Sequence, residues 1–192
     1  AGRGVIEAIG VGIDFKDGDL ALRGNFATLN DEGVIIDRRA GRHIEKDDAD
    51  GIAKEIENKI KFSHPNSSVV VSPTIGHRVT VRIRTKGEKL SSEITNTDPA
   101  YARVDGMGIA KAVGDFLRIE KCFPLDETTS SKTSAKLVNE FTEQSLTIMK
   151  NSTINKKRIQ SKKKSLSCIL LRDAGNKYPD VKPINEMHSM NF

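Results

Sequence analysis

Tryptophan is absent and aromatic residues make up only 5% of the chain, so no aromatic platform for stacking nucleic-acid bases is visible. Cysteine is equally scarce. Cys122 and Cys168 stand apart, with no C-x-x-C and no Cys/His ligand spacing, which argues against a disulfide framework or a structural zinc site and suits a reducing cytoplasm. No apolar run approaches the roughly 20 residues that span a bilayer, and residues 1–5 lack the apolar stretch of a signal peptide, so no membrane partner is expected. The P-loop, G-x-G-x-x-G and G-x-S-x-G motifs are all missing. Asp14, Asp17 and Asp19 alternate like the start of a calcium loop, but Gly18 is misplaced and the closing bidentate Glu is absent, so the segment reads as a turn. No metal site is expected in this chain.

What is present is enough for one core. In 192 residues, 36% are hydrophobic, which supports a single domain or one with a tail. The 31 Lys and Arg against 26 Asp and Glu leave a formal charge of +5 and favour an anionic partner. Residues 20–29 and 33–37, separated by the turn signal Asn30-Asp31, predict a β-hairpin. Ile52, Ile56 and Ile60, behind Asp47 and Asp48, predict an amphipathic helix that ends near Lys61. Residues 68–72 and 79–84 are β-branched strands, and residues 116–119 read as a short strand within a stretch of mixed signals from 90 to 121. Leu137, Val138, Phe141, Leu146 and Met149 mark a long helix over 131–150, followed by a short basic helix over 154–159 and a buried strand over 167–171. This order implies an α+β fold, with helices packed on a largely antiparallel mixed sheet.

Arginine carries the clearest chemistry. Arg23 lies in the predicted hairpin, and Arg38, Arg39 and Arg42 lie in the loop that leaves it. A guanidinium offers a planar fork of donors that matches carboxylate and phosphate, so several converging on a cleft suit a small phosphorylated acid. Surface ion pairs with Asp31, Glu32 and Asp37 would account for the same spacing. His77 and Arg78 follow Gly76 at a loop-to-strand junction, where glycine admits a ligand and histidine can donate to an anion or move a proton. The acid-free basic run of Lys150, Lys156, Lys157, Arg158, Lys162, Lys163 and Lys164 is the kind that phosphate backbones attract, but no aromatic residue interleaves with it. A solvated face is favoured over a nucleic-acid-binding module.

Several segments together resemble one family. Gly2-Arg3-Gly4, Leu22-Arg23-Gly24-Asn25-Phe26-Ala27-Thr28, Asp37-Arg38-Arg39-Ala40-Gly41-Arg42, Gly76-His77-Arg78, Thr97-Asp98-Pro99, Asn139-Glu140-Phe141 and Ile169-Leu170-Leu171-Arg172 resemble, in order, the archaeal cofactor-independent (2,3-bisphosphoglycerate-independent) phosphoglycerate mutases. The resemblance implies an isomerase of glycolysis and gluconeogenesis that interconverts 3-phosphoglycerate and 2-phosphoglycerate through a phosphoenzyme. It also implies an alkaline-phosphatase-like domain holding divalent metal ions (manganese, magnesium, cobalt or zinc), interrupted by an inserted domain that grips the glycerate. Residues 1–192 are read as that single insert domain, with 1–14 and 173–192 as flanks or hinges to a metal-bearing domain outside this sequence. The chain begins without Met and ends at Met190-Asn191-Phe192 after an ordered region, which fits a piece of a longer polypeptide that is inactive alone. Its expected partners are phosphoglycerate and the metal-bearing domain. Carried over by motif, Arg23, Arg38, Arg39, Arg42, His77 and Arg78 are the expected substrate-binding residues, His77 is the one possible catalytic group, and no metal ligand is expected. Neighbouring Arg38 and Arg39 would face opposite ways on a strand, leaving one for substrate and one for an ion pair. Two departures stand out: the family's usual L-L-R-G-A-G has Asp173 after Arg172 here, and Asn96 stands where an acid often precedes T-D-P, which puts roles for Arg172 and Asp98 in question. The insert of a related phosphotransferase with another substrate is the alternative.

Overall fold

The central strand of the fold meets partners along both edges and cover on both faces. In the computed structural model, which describes residues 2–104, 107–110 and 116–180, the elements run α1 (Arg3–Gly10), β1 (Leu20–Leu29), β2 (Ile35–Asp37), α2 (Lys46–Lys59), β3 (Ser67–Pro73), β4 (Arg78–Thr85), β5 (Tyr101–Val104), β6 (Met107–Ala110), α3 (Thr129–Lys150), α4 (Thr153–Gln160) and β7 (Cys168–Gly175). β1 pairs antiparallel with β4 through residues 20–25, with β7 through residues 21–27, and with β2 at Thr28 and Leu29. β3 adds to β4, and β5 and β6 form a separate hairpin. Every pairing between these strands is antiparallel, and the fold class is α+β.

Alternation along β1 divides the molecule. Leu20, Leu22 and Phe26 face α2 and α3, where they join Ile52, Ile56, Leu137 and Phe141 in the main core. Ala21 points the other way, beneath α1, with Val5, Ala8 and Phe15. A Cβ on Gly4 would stand 2.5 Å from the Ala21 carbonyl oxygen, so glycine is what lets α1 lie this close and keeps Arg3 beside the sheet. Further along the same face stand Arg23 and Asn25.

Local chemistry sets the helix ends. Asp47 and Asp48 occupy the first turn of α2 and Lys59 its last, each complementing the helix dipole. Thr128 caps α3 by accepting from the Ser131 amide at 3.2 Å. α4 has no apolar stripe and is tied down by polar groups: buried Asn155 donates to the Met149 and Leu166 carbonyls and accepts from the Leu166 amide, at 2.7, 2.8 and 2.8 Å.

The structure differs from the sequence reading in two places. Residues 116–119 are not a strand. Phe116 has φ 67°, and only a single bridge from Arg118 to Val34, with Ile35 N–H donating to Leu117, borders β2. Within the mixed stretch an unexpected hairpin forms from β5 and β6. The segments expected as flanks carry ordered elements: α1 covers β1 and β7, and residues 173–175 complete β7, while residues 181–192 lie outside the described residues. The Asp14–Asp19 segment is a turn, as expected, but Asp19 is buried and takes both Nε and Nη2 of Arg84 at 2.8 and 2.7 Å.

Phe141 is fully buried where α3 meets the sheet. Phe141→Ala is expected to lower unfolding free energy in urea by about 3–5 kcal/mol. A loss below about 1 kcal/mol would mean that α3 does not close this core.

Candidate anion-binding site

Six chain segments that are distant in sequence meet on the α1 face of the sheet. They enclose a cleft of about 400 Å3 lined by seven arginines. α1 brings Arg3, β1 brings Arg23 and Asn25, and the loop after β2 brings Arg38, Arg39 and Arg42. The junction into β4 brings His77 and Arg78, β5 brings Tyr101, and β7 brings Arg172 and Asp173. All six residues expected to bind substrate therefore share one site.

The loop between β2 and α2 owes its shape to Asp37. Its carboxylate accepts from the Arg39 and Gly41 amides at 2.8 and 2.9 Å, so it is spent on backbone and not on the neighbouring arginines. Ala40, Gly41 and Arg42 then run through three successive positive φ values of 43°, 84° and 67°. This turn, not a strand, carries Arg38 and Arg39, so both reach the cleft and the alternation expected of them does not apply. The His77 turn fits closely against the same loop: Gly76 has φ 62°, and a Cβ there would lie 2.7 Å from the Arg42 carbonyl oxygen.

The arginines fall into two groups. Arg23 holds Glu7 at 2.6 Å and Asp173 at 3.3 Å, Arg38 holds Asp98 through Nη2 at 2.9 Å, and Arg172 reaches Asp98 at 3.3 Å and Asp173 at 3.6 Å. Asp98 is fully buried beneath the cleft. Tyr101 lies over both of its partners, with the ring centroid 4.4 Å from the Arg172 guanidinium and 5.3 Å from that of Arg38. With its amide oriented to suit its neighbours, Asn25 also accepts from Arg172 at 3.2 Å. Arg3, Arg39, Arg42 and Arg78 make no ion pair among the described residues, and all four are exposed toward solvent. Among the described residues, none of the cleft arginines pairs with Asp31 or Glu32, the alternative that the spacing allowed.

This field acts on His77. Burial, then the charges of Arg39, Arg78, Arg172 and Arg42, lower its pKa below the ordinary histidine value, which leaves the ring neutral at neutral pH. A neutral imidazole can accept a hydrogen bond from a ligand hydroxyl, and any anion in the cleft will raise its pKa. Neither cysteine lines the cleft: both are free and buried, and burial pushes their thiols up to about 12, with the Asp98 charge adding to the effect at Cys168.

Sequence reasoning missed five cleft residues, Arg3, Asn25, Tyr101, Arg172 and Asp173; Asn25 stood beside Arg23 in the predicted hairpin without being read as a ligand group. Arg3 was hidden in an unread helix and Tyr101 in an unread hairpin. Arg172 and Asp173 depend on the β1–β7 register, where three steps along β7 match two along β1 and Asp173 takes φ 57°. The position after Arg172 is thus left-handed, which explains a glycine in the usual pattern, and aspartate tolerates it. Three of the seven residues of the basic run have partners behind the cleft, while Lys150, Lys156, Lys157 and Lys162 are exposed. Arg158 is 3% exposed and donates to Glu45 and Asp48 at 2.7 Å each and to the Lys164 carbonyl at 2.8 Å, Lys163 pairs with Glu45, and Lys164 reaches Asp37 at 3.8 Å. Lys163, the residue's own backbone and Arg158 hold the Glu45 carboxyl down at about 2.

Among the described residues no three His, Cys, Asp or Glu side chains cluster as a metal site, and no helix is long and apolar enough to cross a membrane. Comparison with known proteins finds relatives over most of the chain. A 2,3-bisphosphoglycerate-independent phosphoglycerate mutase from Aeropyrum pernix is 36% identical over 185 residues, covering 95% of this chain and 42% of the relative. Its counterpart from Saccharolobus islandicus is 34% identical over 175 residues, covering 91% and 38%. The solved cofactor-independent phosphoglycerate mutase from Thermoplasma acidophilum superposes with a TM-score of 0.73 at 32% identity, over 91% of this chain and 42% of that one. The chain therefore spans about two-fifths of the length of these relatives. A family model described as 2,3-bisphosphoglycerate-independent phosphoglycerate mutase matches residues 1–155, and the chain belongs to that family.

Proposed function

We propose that this chain is the substrate-gripping part of a cytoplasmic phosphoglycerate mutase, which interconverts 3-phosphoglycerate and 2-phosphoglycerate through a phosphoenzyme. The observation that carries this reading is the cleft itself, in which four arginines without ion pairs stand beside three that are held in place. Phosphoglycerate bears a carboxylate and a phosphate on a three-carbon body. Bidentate guanidinium contacts suit both groups, and neutral His77 suits the hydroxyl between them. Divalent metal ions supply activation of the phosphoryl-accepting nucleophile in such enzymes. This reading assigns the metal and nucleophile to a further domain, consistent with the greater length of the relatives. Within this chain, Arg3, Arg23, Arg39, Arg42 and Arg78 bind and orient the ligand, and Asp98 and Tyr101 keep Arg38 and Arg172 in register. Alone, the chain binds phosphoglycerate and turns nothing over.

Titration of 3-phosphoglycerate into the chain, followed by backbone amide shifts in NMR, tests the grip. Shifts are expected at the Arg23, Arg39 and His77 segments, and an Arg39→Ala/Arg42→Ala double variant should bind at least about tenfold more weakly, one lost charge-assisted contact being worth roughly that factor. Equal affinity for a phosphate monoester without a carboxylate would transfer the reading to a related phosphotransferase, and no response at millimolar ligand would reject binding by this part.

Histidine titration gives a second check. His77 of the free chain should titrate below the ordinary histidine value, and saturating 3-phosphoglycerate should move it upward, because a bound anion offsets the arginines that depress it. An unchanged midpoint on binding would place the anion away from His77.

A further inference from the structure

The acids that hold the cleft arginines are placed differently with respect to the ligand space. Glu7 and Asp98 grip Arg23, Arg38 and Arg172 without lining the cleft, whereas Asp173 is the one acid that lines it among the described residues. A single oxygen of Asp173, Oδ2, stands 3.3 Å from Arg23 Nη1 and 3.6 Å from Arg172 Nε. That is the position in which a carboxylate or phosphate oxygen of a ligand would bridge the two guanidiniums.

Backbone geometry puts it there at a cost. The β7 strand carries one residue more than β1 between the Arg23–Arg172 and Ala21–Gly175 pairs, and the extra residue, Asp173, adopts φ 57°, a region that a side-chain-bearing residue enters only against steric resistance. The bulge makes two consecutive residues, Arg172 and Asp173, serve the same cleft. The Asp173 carboxylate is also dispensable for holding its partners, because Arg23 keeps Glu7 at 2.6 Å and Arg172 keeps Asp98 at 3.3 Å. Its remaining effect is to neutralise charge where an anion would sit.

We propose that Asp173 is a built-in competitor for the anion seat between Arg23 and Arg172, and that it sets ligand affinity by occupying that seat when the cleft is empty. A ligand anion entering the seat displaces the carboxylate from between the two guanidiniums. The internal acid thus weakens binding and hastens release without altering which groups contact the ligand. This inference rests on the reading of the cleft as an anion site, while the identity of the anion as phosphoglycerate is a separate matter.

The sign of one measurement separates this role from a structural one. Asp173→Asn keeps the side-chain shape and tolerates the left-handed backbone, and Asp173→Gly removes the group altogether. Both variants are expected to bind inorganic phosphate and 3-phosphoglycerate about tenfold more tightly than the parent chain, a gain equivalent to about 1.4 kcal/mol. A purely structural ion pair would give weaker binding and a lower melting temperature in the Asn variant. Unchanged or weaker phosphate binding in both variants, with folding verified by circular dichroism, overturns the proposal. Tighter phosphate binding in the variants, without 3-phosphoglycerate binding in any of the three proteins, leaves the Asp173 role standing and removes phosphoglycerate as the ligand.

Discussion

Mutual repulsion among guanidiniums is the constraint on which the site depends. Seven of them line about 400 Å3, and two unit charges about 5 Å apart at an effective dielectric near 20 repel by roughly 3 kcal/mol. Such a cluster persists only if counter-charge is built in behind it. Asp98 supplies it from a fully buried position, and the dependence runs both ways, because a carboxylate with no solvent exposure needs those same cations. Tyr101 adds the negative face of its ring to Arg38 and Arg172. What is left over is deliberately incomplete: Arg3, Arg39, Arg42 and Arg78 have no acid partner among the described residues, and burial together with the charges of Arg39, Arg78, Arg172 and Arg42 lowers the pKa of His77.

Topology is what assembles the cluster. β1 presents Arg23 and Asn25 on one face while burying Leu22 and Phe26 on the other, so one strand carries both core and site. Its neighbours β4 and β7 then bring Arg78 and Arg172 alongside through their register. α1 sits over Ala21 only because Gly4 permits the contact, and it carries both Arg3 and the Glu7 that steadies Arg23.

The sequence was legible where chemistry and local pattern coincide. Arg23, Arg38, Arg39, Arg42, His77 and Arg78 sit in short motifs whose glycines and arginines stand out, and the strongly periodic α2 and α3 were evident. The rest was illegible for physical reasons. Arg172 becomes a site residue through pairing with a strand about 150 positions earlier and through a bulge that no local pattern announces. α1 is only eight residues long and begins between glycines, so it read as a flank. For the β5–β6 hairpin a signal did exist, since Asp105-Gly106 separates two short runs, but those residues lie outside the described part.

The basic run over residues 150–164 shows how partner identity, not charge sign, decides meaning. Counted as charges, its lysines suggest a polyanion. In the structure Arg158, Lys163 and Lys164 answer Asp37, Glu45 and Asp48, the acids at either end of the arginine loop. Left unanswered, those acids would compete for Arg39 and Arg42 at the loop's own tip. The loop itself carries two of the chain's positive-φ residues other than glycine, Ala40 and Arg42, which is conformational strain of about 1–3 kcal/mol apiece. Strain of that size survives only where surrounding contacts over-determine the backbone. The Asp37 carboxylate on two loop amides, the Lys164 stem 3.5 Å from the Cβ position of Gly41, and buried Arg158 at the loop's far end provide that determination. The cations behind the loop therefore serve the cations within it, by keeping the intervening acids occupied and the backbone fixed.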